Sequence, residues 1–294
     1  MDVAICIPYM ERDYDRRTTL DWCRLVDDGP FSTLSCGERV TSYTQHMTVI
    51  LSAAAALTKR VRINPSLYVL PAHDATWVAK EIATLDVLSG GRLTVTVGVG
   101  GREHDYRAVN APFAGRHQRL DEQVAHMKRL WAGEPPFEGC DPVGPTPVQA
   151  GGPPLLSGSM GPKAMARAAK WAAGVYGFTL NGNPETAKNG FAMADAAWKA
   201  AGRSDAPFRA TGFWYSLSPD DAQGKLVRYV HDYMKIQGDA VAKAVAGTMR
   251  TSSADAVRKA LDDIEATGCQ ECFLVPATLE LAEVERAAEI VAKR

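Results

Sequence analysis

The sequence has no apolar run long enough to cross a membrane. The Ala-rich stretch at residues 50–57 stops at Lys59 and Arg60, far short of the ~20 residues a spanning helix needs. It also has no excess charge of either sign. The 33 Lys and Arg and the 34 Asp and Glu leave a net charge of -1, so there is no electrostatic footprint for nucleic acid or an anionic membrane. The opening residues, Met1-Asp2-Val3-Ala4-Ile5, lack a basic region and a cleavage site, so no signal peptide is expected and a cytoplasmic location is. The six cysteines are not spaced as a secreted disulfide framework, and 294 residues can build a core without one. Cys269-Gln-Glu-Cys272 has no second pair to complete a zinc site. It follows a helix and opens a strand, the reverse of a redox pair, so it reads as structural. The six histidines show no metal-ligand spacing, and no metal is expected. A Gly-x-Ser-x-Gly elbow and a Walker loop are both missing, which weakens nucleophilic hydrolase and nucleotide kinase readings.

What the chain does have is alternation. Strand patterns at residues 3–8, 31–36, 61–70, 93–99, 154–157, 174–178, 208–217 and 271–275 are separated by helical ones. The helices are expected near 19–26, 43–57, 74–88, 116–131, 158–171, 184–201, 219–237, 254–267 and 279–292. Two strands joined by one helix run parallel, and eight such units predict a single (β/α)8 TIM barrel over residues 1–294, with insertions after strands 4 and 7. A doubly wound open sheet is the runner-up. Its dinucleotide fingerprint fails, because Gly98-x-Gly100 follows strand 4 and Glu103 stands where a third glycine belongs. Eleven of the 21 residues at 134–154 are Pro or Gly, which makes a long loop, either a cover over the site or a surface excursion.

In such a barrel the active site lies at the C-terminal strand ends. That rule nominates Pro8 and Tyr9, then Gly37, Glu38 and Arg39, then Ser66, Leu67 and Tyr68, then Gly98, Val99 and Gly100. Farther along it nominates Gly158, Ser159, Met160, Phe178, Trp214 and Tyr215. Glu38-Arg39 suits acid/base or anion-orienting work, and an exposed salt bridge equally. Gly158-Ser159-Met160-Gly161 before a helix suits either an anion site or a Ser N-cap followed by Pro162. Glu103, His104 and Asp105 read as a solvated loop. Trp214, Tyr215, Tyr229 and Tyr233 either wall a pocket or pack an inserted helix.

At these residues the chain resembles the bacterial luciferase-like monooxygenase superfamily of flavin- and deazaflavin-dependent barrels. The resemblance is carried by Arg62-Ile63 through Leu70-Pro71, by Ala79-Lys80-Glu81-Ile82-Ala83-Thr84-Leu85-Asp86, and above all by Leu88-Ser89-Gly90-Gly91-Arg92-Leu93. Val97-Gly98-Val99-Gly100 and Gly152-Pro153-Pro154-Leu155-Leu156 extend it. The resemblance implies coenzyme F420, with hydride transfer at its C5 to or from a small organic substrate. FMN with oxygen activation is the alternative, and a cofactor-binding barrel without turnover is a third. It implies a strand 3 bulge with a non-prolyl cis bond at Ser66-Leu67 behind the ring. It also implies ring contacts at Pro8, Gly98, Val99 and Gly100, and a phosphate turn at Gly158, Ser159 and Met160. Glu38 and Arg39 match the acidic–His pair of many members, with Arg39 in place of His. Gly101 stands where the family's sugar-phosphate dehydrogenases carry a glutamate. A homodimer is expected, with a small-molecule substrate as the only other partner.

Overall fold

Alternating strand and helix patterns make the strands run parallel, in an open sheet or a closed barrel. The computed structural model, which describes residues 1–158 and 160–294, has the closed form. Strands β1 (Asp2–Cys6), β2 (Thr33–Cys36), β3 (Arg62–Val69), β4 (Val95–Gly98), β5 (Leu155–Ser157), β6 (Gly174–Phe178), β7 (Phe208–Tyr215) and β8 (Glu271–Pro276) form a closed barrel in sequence order. Ile5 of β1 pairs with both Leu34 of β2 and Leu274 of β8, which closes the ring. Around it run α1 (Arg16–Asp28), α2 (Met47–Leu57), α3 (Ala75–Ser89), α4 (Glu103–Ala108), α5 (Arg116–Trp131), α6 (Pro162–Ala168) and α7 (Pro184–Ala200). The outer layer continues with α8 (Ala222–Met234), α9 (Asp239–Ala246), α10 (Ala254–Glu265) and α11 (Leu281–Ala292). The expected barrel and its insertions after β4 and β7 are present.

Inside the barrel, Ala4, Leu156, Tyr176, Ala210 and Phe273 form a packed plug. The larger apolar layer, including Trp22, Phe31, Phe213 and Trp198, lies between strands and helices. The segment that ends α3 shows how the sequence builds the frame. Asp74 caps α3 by accepting from Thr76 N and Trp77 N, both at 3.0 Å. Gly90, at φ 66°, ends it in the left-handed conformation. Arg92 then reaches back to the carbonyls of Ala55 (2.9 Å), Thr58 (2.9 Å) and Ser89 (2.8 Å). Its guanidinium thereby satisfies helix-end acceptors of α2 and α3 that would otherwise lack partners. The Ser-Gly-Gly-Arg motif is a structural staple.

In β3, Ser66 pairs with Thr96 and Tyr68 with Val97, so Leu67 is an extra residue in a bulge. The Ser66–Leu67 peptide bond is cis. The residues beyond α5, at 132–154, lead into β5 and so lie at the N-terminal face of the barrel. They are tied to α3 through Lys80 Nζ to Gly144 O (2.7 Å) and through Gln149 N and Nε2 to the Asp86 carboxylate (2.9 and 2.7 Å). That geometry makes them a surface excursion on the face away from the strand ends.

Three expectations need correction. Residues 103–105 are not a solvated loop: they open α4, and Asp105 is buried. The helix expected over 43–57 begins at Met47. The segment after β7 contains an additional helix, α9, whose short Ala-rich stretch carries no distinctive start signal in sequence.

Candidate active site

A cavity of about 250 Å³ opens at the C-terminal ends of the strands. The β3 bulge supplies one wall through Ser66 and Leu67. The chain beyond β4 supplies Gly100, Gly101 and Arg102, and the end of β2 supplies Gly37, Glu38 and Arg39. Tyr176, Phe178 and Trp214 form an apolar wall opposite, with Tyr233 of α8 closing over it. Phe178 and Trp214 meet edge to face at 4.9 Å, and Trp214 meets Tyr233 at 4.8 Å, a rigid aromatic surface suited to excluding water.

Glu38 and Arg39 are adjacent in sequence but diverge in space. Glu38 turns to β3, where its carboxylate accepts from Val69 N at 2.6 Å and meets His73 Nε2 at 2.7 Å. Burial lowers the basicity of His73, but the hydrogen bond and negative charge of Glu38 more than offset it. The imidazole therefore titrates above its ordinary value of 6.5. Behind it, Tyr68 donates to Glu81 and its ring meets that of His73 at 5.0 Å. Arg39 instead points across the cavity mouth. Its guanidinium stacks 3.8 Å over the Tyr233 ring and donates from Nη2 to Tyr233 O at 3.3 Å. Tyr9 lies beneath, packed on Gly37, where a Cβ would stand 2.4 Å from the tyrosine ring. Burial first, then Tyr233 and Tyr229, hold the Tyr9 phenol well above its ordinary range, so it stays protonated.

Of the nominated ring contacts, Ser66, Leu67 and Gly100 line the cavity. Pro8 is buried beneath it. Gly98 and Gly158 lie against the Leu67 side chain, where added Cβ atoms would stand 3.0 and 2.5 Å from Leu67 Cδ2. Val99 uses its carbonyl to accept from Tyr106 Oη at 2.5 Å. In the proposed phosphate turn, Gly158 N donates to Val97 O at 2.8 Å. Ser159 lies outside the described residues, and Met160 is 76% exposed. Met160 borders a second, apolar cavity of about 130 Å³ between β6, α6 and α7, which shares Phe178 with the first. Of the four aromatic candidates, Trp214 and Tyr233 line the main cavity. Tyr215 is fully buried and donates to Glu283 O at 3.0 Å.

Sequence reasoning did not single out several site residues, among them His73, Arg102 and Cys6, and it placed Asp105 in a solvated loop. His73 was visible only as a loop residue, because its partner lies 35 positions away. Arg102 and Asp105 stand just past the strand end that was considered. Asp105 accepts from Thr41 N at 2.8 Å and from the Thr41 hydroxyl, tying the β2 and β4 exits together. Cys6 also borders the cavity. Burial dominates the weaker opposing effect of nearby hydrogen bonds and pushes its thiol up to about 12, so it is no nucleophile. Among the described residues, no cluster of His, Cys, Asp and Glu could hold a metal ion.

A family profile described as luciferase-like monooxygenase matches residues 1–283. The chain belongs to this family. The barrel, the β3 bulge and a cavity at the strand ends are thus the luciferase-like oxidoreductase architecture. Among curated relatives, 2,5-diketocamphane 1,2-monooxygenase 1 of Pseudomonas putida is 29% identical over 141 residues, covering 45% of this chain and 38% of that protein. The match therefore spans well under half of the relative's length. Among solved structures, an F420-dependent secondary alcohol dehydrogenase, bound to an F420–acetone adduct, superposes with a TM-score of 0.79 at 18% identity. That match covers 98% of this chain and 97% of the other. The oxygenating constituent of 3,6-diketocamphane monooxygenase from P. putida, a type II Baeyer–Villiger enzyme in complex with FMN, superposes with a TM-score of 0.72 at 17% identity. It covers 100% and 98% of the two chains. At these identities the two structures establish the shared fold. No helix among the described residues is long and apolar enough to cross a membrane.

Proposed function

We propose that this luciferase-like protein is an oxidoreductase that uses coenzyme F420 for hydride transfer to or from a small organic substrate. The observation that carries this reading is the single cavity wall formed by the β3 bulge and the Gly100-Gly101 exit of β4, facing the aromatic wall of Tyr176, Phe178 and Trp214. Such a slot fits a flat ring. A Cβ at Gly101 would meet nothing within 4 Å, so the backbone there is open to close approach, whereas a Cβ at Gly100 would press on Val69 at 3.0 Å. When bound, the coenzyme supplies the hydride chemistry, or oxygen activation in the case of FMN.

The protein's part is to position and exclude. Ser66 and Leu67 back the ring, and Gly100 receives its edge. Gly98, Val99 and Pro8 fix the strand ends beneath it. Gly158, Ser159 and Met160 are proposed to carry the cofactor phosphate. The role of Gly158 there is to lack a side chain, since its N–H is bonded within the barrel. Trp214, Phe178 and Tyr233 keep water from the reacting face. Arg39 orients the substrate, and Glu38 with His73 holds a proton at the wall.

FMN-dependent monooxygenation is the second reading, supported by the 2,5-diketocamphane monooxygenase relative and by the FMN-bound 3,6-diketocamphane monooxygenase structure. Fluorescence titration of the purified protein with F420 and with FMN separates the two. Tight binding of F420 alone supports hydride transfer. Preference for FMN turns the assignment to oxygen chemistry, and binding without turnover over a broad alcohol and ketone panel identifies a carrier. If neither binds, the cofactor reading is wrong. We further propose a cytoplasmic homodimer formed through α2 and α3, where Val49 and Trp77 are 64% and 65% exposed. Light scattering tests it: a monomer at micromolar concentration sinks that assignment.

A further inference from the structure

Two guanidinium groups face the same small cavity, and neither is fully engaged. Arg39 is buried, and the one hydrogen bond of its guanidinium among the described residues is the long 3.3 Å contact to Tyr233 O. Arg102 Nε stands 3.4 Å from Asp105 Oδ2, and this buried atom makes no hydrogen bond. The Nη groups of Arg102 have no partner among the described residues. Neither nearby acid accepts a hydrogen bond from these donors, and the one ion pair among them is Asp105 Oδ2 with Arg102 Nε at 3.4 Å. Glu38 is held by Val69 N and His73. Asp105 is held by the backbone and side chain of Thr41. Burial, and then the charge of Arg39, lower the basicity of Arg102, with Asp105 opposing them only in part. Two cations lining one cavity, Arg39 with no carboxylate partner among the described residues and Arg102 with a single ion pair at 3.4 Å, mark a site arranged for an incoming negative group.

We propose that Arg39 and Arg102 form an oxyanion clamp, and that the substrate of this enzyme carries a carboxylate or phosphate group held between them. This rests on the oxidoreductase reading and adds a substrate class to it. Planar guanidinium forks bind such groups through two parallel N–H bonds, which fixes orientation as well as affinity. With its charged end fixed at the cavity mouth, the substrate's reactive carbon would point inward, toward the slot between the β3 bulge and the aromatic wall. Asp105 steers Arg102 by holding its Nε edge, and the Tyr233 ring steers Arg39, so both forks are preset before the substrate arrives.

The test compares benzoate with benzamide, its neutral isostere, by calorimetric titration of the purified protein without cofactor. Benzoate should bind roughly tenfold or more tightly than benzamide, about what one charge-assisted hydrogen bond is worth. That preference should shrink as salt rises from about 50 to about 500 mM. Arg102→Gln and Arg39→Gln should each abolish the preference, and Arg102→Lys should retain part of it. Equal binding of the two probes, or a preference that survives both Gln variants, overturns the clamp. A salt-dependent preference in the unmutated protein tests it even if a variant does not fold. The source of the anion is settled by repeating the titration with saturating F420 or FMN. Undiminished benzoate binding supports a substrate anion. Displacement of benzoate, together with weakened cofactor binding in Arg102→Gln, assigns the clamp to the cofactor's phosphate and overturns the substrate reading. If neither cofactor binds, the benzoate result still stands, so failure of the cofactor reading is distinguishable from failure of the clamp.

Discussion

Replacing Glu38 tests whether this residue holds the β3 bulge in place. Its carboxylate takes two short hydrogen bonds, from Val69 N at 2.6 Å and with His73 Nε2 at 2.7 Å. Hydrogen bonds to a charged group contribute roughly 1.5–3 kcal/mol each. Glu38→Gln can keep the Val69 bond with its amide oxygen and donate from its amide nitrogen to a neutral His73, so it loses the ion pair alone. Glu38→Ala leaves Val69 N unpaired beside the bulge and should destabilise by about 2–5 kcal/mol. The pH dependence gives the sharper check. His73 titrates above its ordinary 6.5 in the folded protein, so the pair's contribution is fully present below 6.5. It fades as pH rises through the folded value. The deficit of Glu38→Gln should therefore reach about 1–3 kcal/mol near pH 5.5 and become small well above the folded pKa. The assay is thermal unfolding of both proteins across that range, with NMR titration of the His73 ring. In the variant, burial is no longer offset by Glu38, so the ring pKa should fall. A deficit independent of pH, or an unchanged His73 titration, refutes the argument.

Arg92→Lys should destabilise by about 2–4 kcal/mol, since one ammonium cannot reach the helix-end carbonyls of Ala55, Thr58 and Ser89 together; urea unfolding reads this, and a loss below about 1 kcal/mol contradicts the staple. Gly174→Ala places a Cβ 2.2 Å from the Phe208 carbonyl oxygen, so β6 and β7 must separate at their start. A loss of about 1–3 kcal/mol is expected in the same assay. Cys6, with its thiol pushed up to about 12 by burial, should resist iodoacetamide at about pH 8 while the partly exposed Cys140 reacts. Alkylation of Cys6 in the folded protein, seen by peptide mass spectrometry, would show that the cavity wall opens.

The barrel was legible because its signals are local. Short strand-forming runs mark the strands, Asp74 and Gly90 bracket α3, and α5 begins and ends where its apolar spacing does, at Arg116 and Trp131. Segments whose boundaries depend on distant packing were read less well. The loop 37–46 was read partly as helix. Its course is fixed by Thr41 on Asp105 and by Thr44 Oγ1 donating to Arg39 O at 2.9 Å, and neither contact has a periodic signature. The site divides the same way. The strand-end rule found Glu38, Arg39, Ser66, Leu67 and Gly100, because position along a strand is enough to nominate them. It stopped short of Arg102, two residues past Gly100, although the Gly-Gly-Arg run was an available cue. It could not show that Glu38 and Arg39 part company, since their partners lie 35 and 194 positions away.

The glycines of the β4 and β5 exits show why composition alone misassigns roles at such a site. A Gly-x-Gly exit on a parallel strand invites the reading of a backbone opened for a ligand. Here Gly98 and Gly158 open space for a protein side chain: Leu67, the extra residue of the β3 bulge, fills the notch that both leave. Gly100 alone of the three faces the cavity. The bulge and the two glycines are one packing unit, so enlarging either glycine would move Leu67, and with it the wall of the slot. A substitution at Gly158 would thus reach ring binding through Leu67, even where nothing at position 158 touches the ring. The prediction that separates these roles is that Gly158→Ala combined with Leu67→Val, which removes the clashing Cδ atoms but keeps a branched wall, restores part of the ring affinity lost in Gly158→Ala alone. A glycine needed for direct contact with the ring or its phosphate would show no such rescue.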